Sequence, residues 1–316
     1  MTSRILALGL VLAMTATAAF GAAEDAPNVK RGYIDVKWGQ LHYAMVKPTA
    51  PTTKVPLVMF HQTANSLVEF GPLIAEMGKD RVTIAIDTPG YGQSDAPPSL
   101  PMIEDYAAVM IEGLKAMGYG PEKPVDVMGN HTGAFIATAM ANLEPKMVRR
   151  MALVGVYVVP DESLAKTRAT IPHPTSYAEV FKAFCARLPT IEEIYKKQGV
   201  SDAAWGATRA DSLQPPGPKR EYGHDAAFEY ASRVKTELPR VQQPVVLLVV
   251  ADNIDEATRR SKLLFKHAEL VEMMDIASGP GVYDGIYYIG TARIAAETRK
   301  FLDKASVAGS DAAGGE

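Results

Sequence analysis

His131 stands in the run Gly129-Asn130-His131-Thr132-Gly133, directly after the short apolar run 125–128 and before a small, apolar stretch at 132–143. An imidazole at such a junction can take a proton from water or from a carbon acid, or attack a carbonyl itself. A carboxylate behind the ring would orient it and stabilise its charged form. The segment Ala251-Asp252-Asn253-Ile254-Asp255-Glu256 supplies candidates, and it follows another apolar run, 245–250. Either aspartate could instead cap the helix that starts near Glu256. His61-Gln62-Thr63 follows the apolar run 56–60, and His224 lies in Tyr222-Gly223-His224-Asp225, just before a helical pattern. His173 is set between Pro172 and Pro174 in a stiff stretch with no clear aim, and His267 reads as a surface residue.

These residues need elements to hold them. Short apolar runs recur at 56–60, 82–86, 125–128, 151–156, 245–250 and 270–276, each of strand length. The stretch 32–46 alternates on both sides of Trp38-Gly39-Gln40 and predicts a hairpin. Helical periodicity separates most runs: Ile103, Tyr106, Met110, Ile111, Leu114 and Met117 share one face. Strands alternating with helices predict an α/β fold, a mostly parallel sheet of about eight strands with helices on both faces. The alternation breaks over 158–242, which is rich in proline, charge and aromatics. It predicts an inserted helical cap over the carboxyl edge of the sheet, where open α/β sheets bind their ligands.

The segments at 60–65, 87–95 (Asp87-Thr88-Pro89-Gly90-Tyr91-Gly92-Gln93-Ser94-Asp95) and 129–133, taken with the cap and the acidic stretch 245–256, resemble the α/β-hydrolase superfamily over 32–303. That resemblance implies a strained strand-to-helix turn carrying a serine nucleophile, an oxyanion hole of backbone N–H groups, and a later acid and histidine. The sequence departs from this pattern in three places. His131 stands where the family usually has serine, while Gly129 and Gly133 are kept. Gln62 replaces the usual glycine of the first loop, so Thr63 and Thr132 are the best oxyanion-hole donors, with the Gln62 amide within reach of the pocket. His61 is expected to stabilise its loop. No histidine follows His267, so the late member of the relay is missing from Ser278-Gly279-Pro280-Gly281-Val282-Tyr283-Asp284. For the acid, the family offset favours Asp255, with Asp252 second. His224 is the cap histidine that could hang into the pocket as a catalytic residue, or else cap its helix or lie at the surface.

Composition narrows the classes further. A net charge of -3 gives no electrostatic footprint for nucleic acid. The single cysteine, Cys185, excludes an internal disulfide framework, and no ligand cluster suggests a metal or other cofactor. Residues 1–23, with Arg4 before an apolar run that fades into small residues, predict a cleaved export signal and a periplasmic or secreted protein with no membrane attachment afterwards. The α/β core is then expected over 24–157 and 243–304, the cap over 158–242 and a disordered tail over 305–316.

Base catalysis by His131 needs no second histidine, so it accommodates the missing one better than nucleophilic attack does. The favoured reading is an exported hydrolase acting on a small carbonyl-bearing molecule such as an ester or lactone. A lyase or isomerase of the same fold and a catalytically silent binding protein are the alternatives. A pocket filled by Tyr283, Tyr287 or Tyr288 would favour the silent protein.

Overall fold

The computed structural model describes residues 29–171, 173–182, 185, 193, 218–277 and 285–305. The expected leader, most of 183–217 in the expected cap, the segment 278–284 and the tail from 306 lie outside the described residues.

The alternating stretch at the start forms the expected hairpin, β1 (Lys30–Val36) and β2 (Gly39–Val46), turning through Gly39 at a φ of 109° that favours glycine. The short apolar runs become β3 (Leu57–Phe60), β4 (Thr83–Ile86), β5 (Val125–Asn130), β6 (Val148–Val154), β7 (Val245–Ala251) and β8 (Ala268–Ala277). They join in one eight-stranded sheet in the order β1-β2-β4-β3-β5-β6-β7-β8. β2 pairs antiparallel with β1 and β4, and every other pairing is parallel. Parallel strands buried on both faces read as continuous apolar runs, which is why β3 and β4 are buried at every residue.

Side chains alternate between the two faces of the sheet. Val58, Phe60, Val127 and Leu247 join a core with α2 (Ile103–Ala116) and α3 (Thr132–Leu143), whereas Leu57, Met59, Met128 and Leu248 join a second core containing α1 (Gly71–Met77). The second core also takes Ile294, Phe301 and Leu302 from the C-terminal helix Thr291–Leu302. Between β6 and β7 the described residues include the helices α4 (Asp161–Ala169) and α5 (Pro218–Ala231).

The chain runs from β3 outward to β4 and then returns to the other side of β3 as β5. Strand order therefore reverses between β3 and β5, and the loops leaving their carboxyl ends diverge. Such a switch point opens a crevice where α/β sheets place their ligands. The loops concerned carry His61-Gln62-Thr63 and His131.

Candidate active site

His131 links β5 to α3 with φ 48° and ψ -110°, the only positive φ at a non-glycine among the described residues. Strain of this kind persists where the surroundings over-determine it. Here the His131 N–H donates to Val154 O at 2.9 Å, and its own carbonyl accepts from Ala134 N–H at 2.9 Å. The glycines on either side are required by contact. A methyl group at Gly129 would collide with the backbone of Gly133 and Ala134, and one at Gly133 with the carbonyl of Phe60. Gly155, at the end of β6, lies against the imidazole itself and leaves room for the ring.

The ring enters a cavity of about 310 Å3 over the switch point. It is lined by Gln62, Thr63, His131 and Thr132, by Tyr157 and Thr167, and by His224, Ala227 and Phe228 of α5. Asn253 and Ile254 close the side toward β7. The sequence-predicted His131, Thr63, Thr132, Gln62 and His224 thus meet in one place.

The acid is where the expectation needs correcting. Asp255 has already entered the helix α7 (Asp255–Ser261), α6 being the short helix Val234–Glu237. Its Oδ2 pairs with Arg259 one turn on, at 2.9 Å, and Oδ1 accepts the Glu256 N–H at 2.7 Å. Asp252 lies on the bend between β7 and α7. Its Oδ1 accepts the Ile254 N–H at 2.9 Å, and its Oδ2 stands 3.4 Å from His131 Nε2. That separation is at the long end for a hydrogen bond. With Nε2–H directed at Asp252, the proton-accepting atom of the neutral ring is Nδ1. The sequence offset points to Asp255 with one residue inserted, but the chain has entered α7 there and Asp252 is the carboxylate beside the ring. An imidazole spans the gap to the nearer carboxylate directly.

Thr132 is the first residue of α3, so its N–H belongs to the donors a helix start leaves without an internal partner. With Thr63 beside it in the cavity lining, the two can face a developing oxyanion. Sequence reasoning missed the residue that holds these segments together. Glu69 is fully buried and accepts from Gln62 N–H at 3.3 Å, Asn65 Nδ2 at 3.0 Å and Asn130 Nδ2 at 3.0 Å. It therefore ties the first loop to the residue preceding His131. Burial pushes its carboxyl up to about 8, against the lowering effect of those donors. An isolated glutamate in a helical pattern carries no signal of such a role.

The other histidines are structural. His61 Nδ1–H donates to Gln62 O, and its Nε2 accepts from Thr88 N–H, both at 2.8 Å; burial pushes its pKa down. His42 Nδ1 lies 2.7 Å from Asp87 Oδ2, and Asp87 also accepts from the N–H groups of Leu67 and Gln93. His173 is exposed and turns toward Asp225 at 3.4 Å, and His267 is exposed before β8. Neither Tyr287 nor Tyr288 fills the cavity. Tyr287 packs on Phe70 and Tyr288 donates to Val68 O, while Tyr283 lies outside the described residues. Among the described residues no group of three His, Cys, Asp or Glu is placed to hold a metal.

Residues 55–247 match the alpha/beta hydrolase fold family. The chain belongs to that family. It is 32% identical over 103 residues to the (E)-2-((N-methylformamido)methylene)succinate hydrolase of Acinetobacter baylyi. That match takes in 32% of this chain and 38% of the relative, well under half its length. Among solved structures, the fold is similar to the enol-lactonase from Burkholderia xenovorans LB400, with TM-score 0.65 and 17% identity, covering 86% of this chain and 100% of that one. Naproxen esterase from Bacillus subtilis gives TM-score 0.65 at 18% identity, covering 88% and 92%. At these identities the likeness is one of fold.

Proposed function

We propose that this member of the alpha/beta hydrolase fold family is an exported hydrolase of a small carbonyl compound, an ester, lactone or similar, with His131 as general base. The observation that carries the reading is the elbow itself. A strained backbone at the switch point drives an imidazole into the cavity, with Asp252 3.4 Å behind it. The usual three-member relay would be shortened to two, the long side chain at 131 reaching the acid without an intermediary. A water held by Nδ1 loses its proton as it attacks the carbonyl, Asp252 stabilises the resulting imidazolium, and the N–H groups of Thr63 and Thr132 face the oxyanion. Relatives named as hydrolases of an enamide, an enol lactone and an ester are in keeping with carbonyl chemistry.

His131→Ala tests this directly. Loss of roughly 10²–10⁴-fold in kcat/KM is expected on any ester or lactone the protein turns over. Turnover unchanged by the substitution would overturn the reading. Oxygen from ¹⁸O-labelled water must enter the acid product; turnover without it would indicate a lyase or isomerase. Export rests on residues 1–23, and N-terminal sequencing of chain recovered from the periplasm or medium should begin after Gly21 or Ala23.

A further inference from the structure

A base that removes the proton of water solves half of a hydrolysis. When the carbon–oxygen or carbon–nitrogen bond breaks, the departing alkoxide or amide nitrogen needs a proton. In a relay with one mobile histidine, that residue serves both steps. Here the elbow imidazole is fixed to a strained backbone, and a second imidazole, on a separate element, lines the same cavity.

His224 lies on α5 three residues after Glu221, so the two side chains are neighbours on one helix face. Its Nδ1 stands 2.6 Å from Glu221 Oε2, and Glu221 is nearly buried, with Oε1 3.3 Å from Arg220 Nε. Phe228 stacks on the other side of the ring, centroids 6.3 Å apart. Nδ1–H is thereby committed to the carboxylate, and Nε2 is the ring atom available to a cavity occupant. The arrangement repeats that of His131 and Asp252, an imidazole backed by a carboxylate, from a separate element.

We propose that His224 is a second catalytic residue of this cavity, the general acid for the leaving group, with Glu221 as its positioning residue. The inference rests on His131 being the base. His131 Nδ1 takes a proton from water as the water oxygen bonds to the carbonyl carbon, and the carbonyl π pair moves to oxygen. When that pair returns, the bond to the leaving group breaks, and the leaving atom takes the electron pair together with the Nε2 proton of the His224 imidazolium. The cycle closes when the proton on His131 passes through solvent to His224. Water and the acyl compound become acid and alcohol or amine, with no other reactant consumed.

A leaving-group series separates this role from a structural one. Wild type, His131→Ala, His224→Gln and Glu221→Gln are assayed on p-nitrophenyl acetate, phenyl acetate, ethyl acetate and acetanilide, with circular dichroism confirming the fold. If His224→Gln fails to fold, His224→Asn takes its place. His224→Gln should lose severalfold on p-nitrophenyl acetate and about 10²–10⁴-fold on ethyl acetate, so the loss grows with the basicity of the leaving group. Glu221→Gln should show the same trend, smaller in size, and His131→Ala a loss across the series. A His224→Gln loss that is absent, or equal for every leaving group, while His131→Ala remains inactive overturns the His224 role and leaves the elbow reading standing. Activity retained in His131→Ala, or a wild type inert to all four compounds, overturns both.

Discussion

Two aspartates three residues apart divide the work after β7, and substitution should tell them apart. Asp252→Asn removes the charge behind the His131 imidazolium and should lower kcat by roughly 10²-fold or more with KM little changed. Asp255→Asn breaks a surface pair with Arg259 and should leave kcat within about twofold and the urea midpoint little changed. Equal losses from the two would remove Asp252 from the site. Gly155→Ala sets a methyl group against the imidazole at a backbone φ of 68°. It should cost about 1–3 kcal/mol and most of the activity, although no atom of Gly155 takes part in the chemistry. Glu69 gives the pH dependence. Its proton is bound more tightly in the folded chain, at about 8 against an ordinary 4.5, so the folded state holds more protons between those values. Stability should therefore fall as pH rises through that window. Urea midpoints at pH 5 and pH 8 should differ less for Glu69→Gln than for wild type.

At the level of elements, one hydroxyl ties the backbone of α5 to the turn after β4. Tyr91, in the turn after β4, donates to Arg220 O at 2.9 Å and accepts from Gly223 N–H at 2.8 Å. Tyr91→Phe leaves both backbone groups without that partner, at a cost of about 1–3 kcal/mol. Faster amide exchange across Pro218–Ala231, the core strands staying protected, is the expected reading; an unchanged α5 would show that the hydroxyl is not its tether. Much of this architecture was legible beforehand, because buried parallel strands announce themselves as apolar runs, but their order, and with it the switch point, was not. The glycines of the elbow were legible through the resemblance, and the collisions a methyl group would make with backbone show why they are needed. The identity of the acid was not. Asp252 and Asp255 differ in direction, not in composition, and only the onset of α7 decides which one faces inward. Tyr91 and Glu69 were invisible as site-building residues because Arg220 and Asn130, the partners that tie them to other elements, lie 129 and 61 positions away in the chain.

Across the whole molecule, the end of the C-terminal helix is locked to the amino edge of the sheet. Arg81 is fully buried, with Nη2 2.7 Å from Asp303 Oδ1, and Lys54 Nζ lies 2.6 Å from Asp303 Oδ2. Lys54 also reaches Asp80 at 2.6 Å, which in turn accepts from Arg81 Nε. Breaking a pair that involves a buried guanidinium is costly, so Asp303→Ala should destabilise the fold by about 2–4 kcal/mol. Scanning calorimetry should show that as a drop of several degrees in Tm with the active-site residues untouched. The closure of one end of the molecule leaves the other end free to specialise, and the elbow shows how far. A serine at 131 would be too short to reach Asp252, and no histidine beyond His267 exists to bridge them. Shortening residue 131 would therefore leave the carboxylate after β7 with no ring to face.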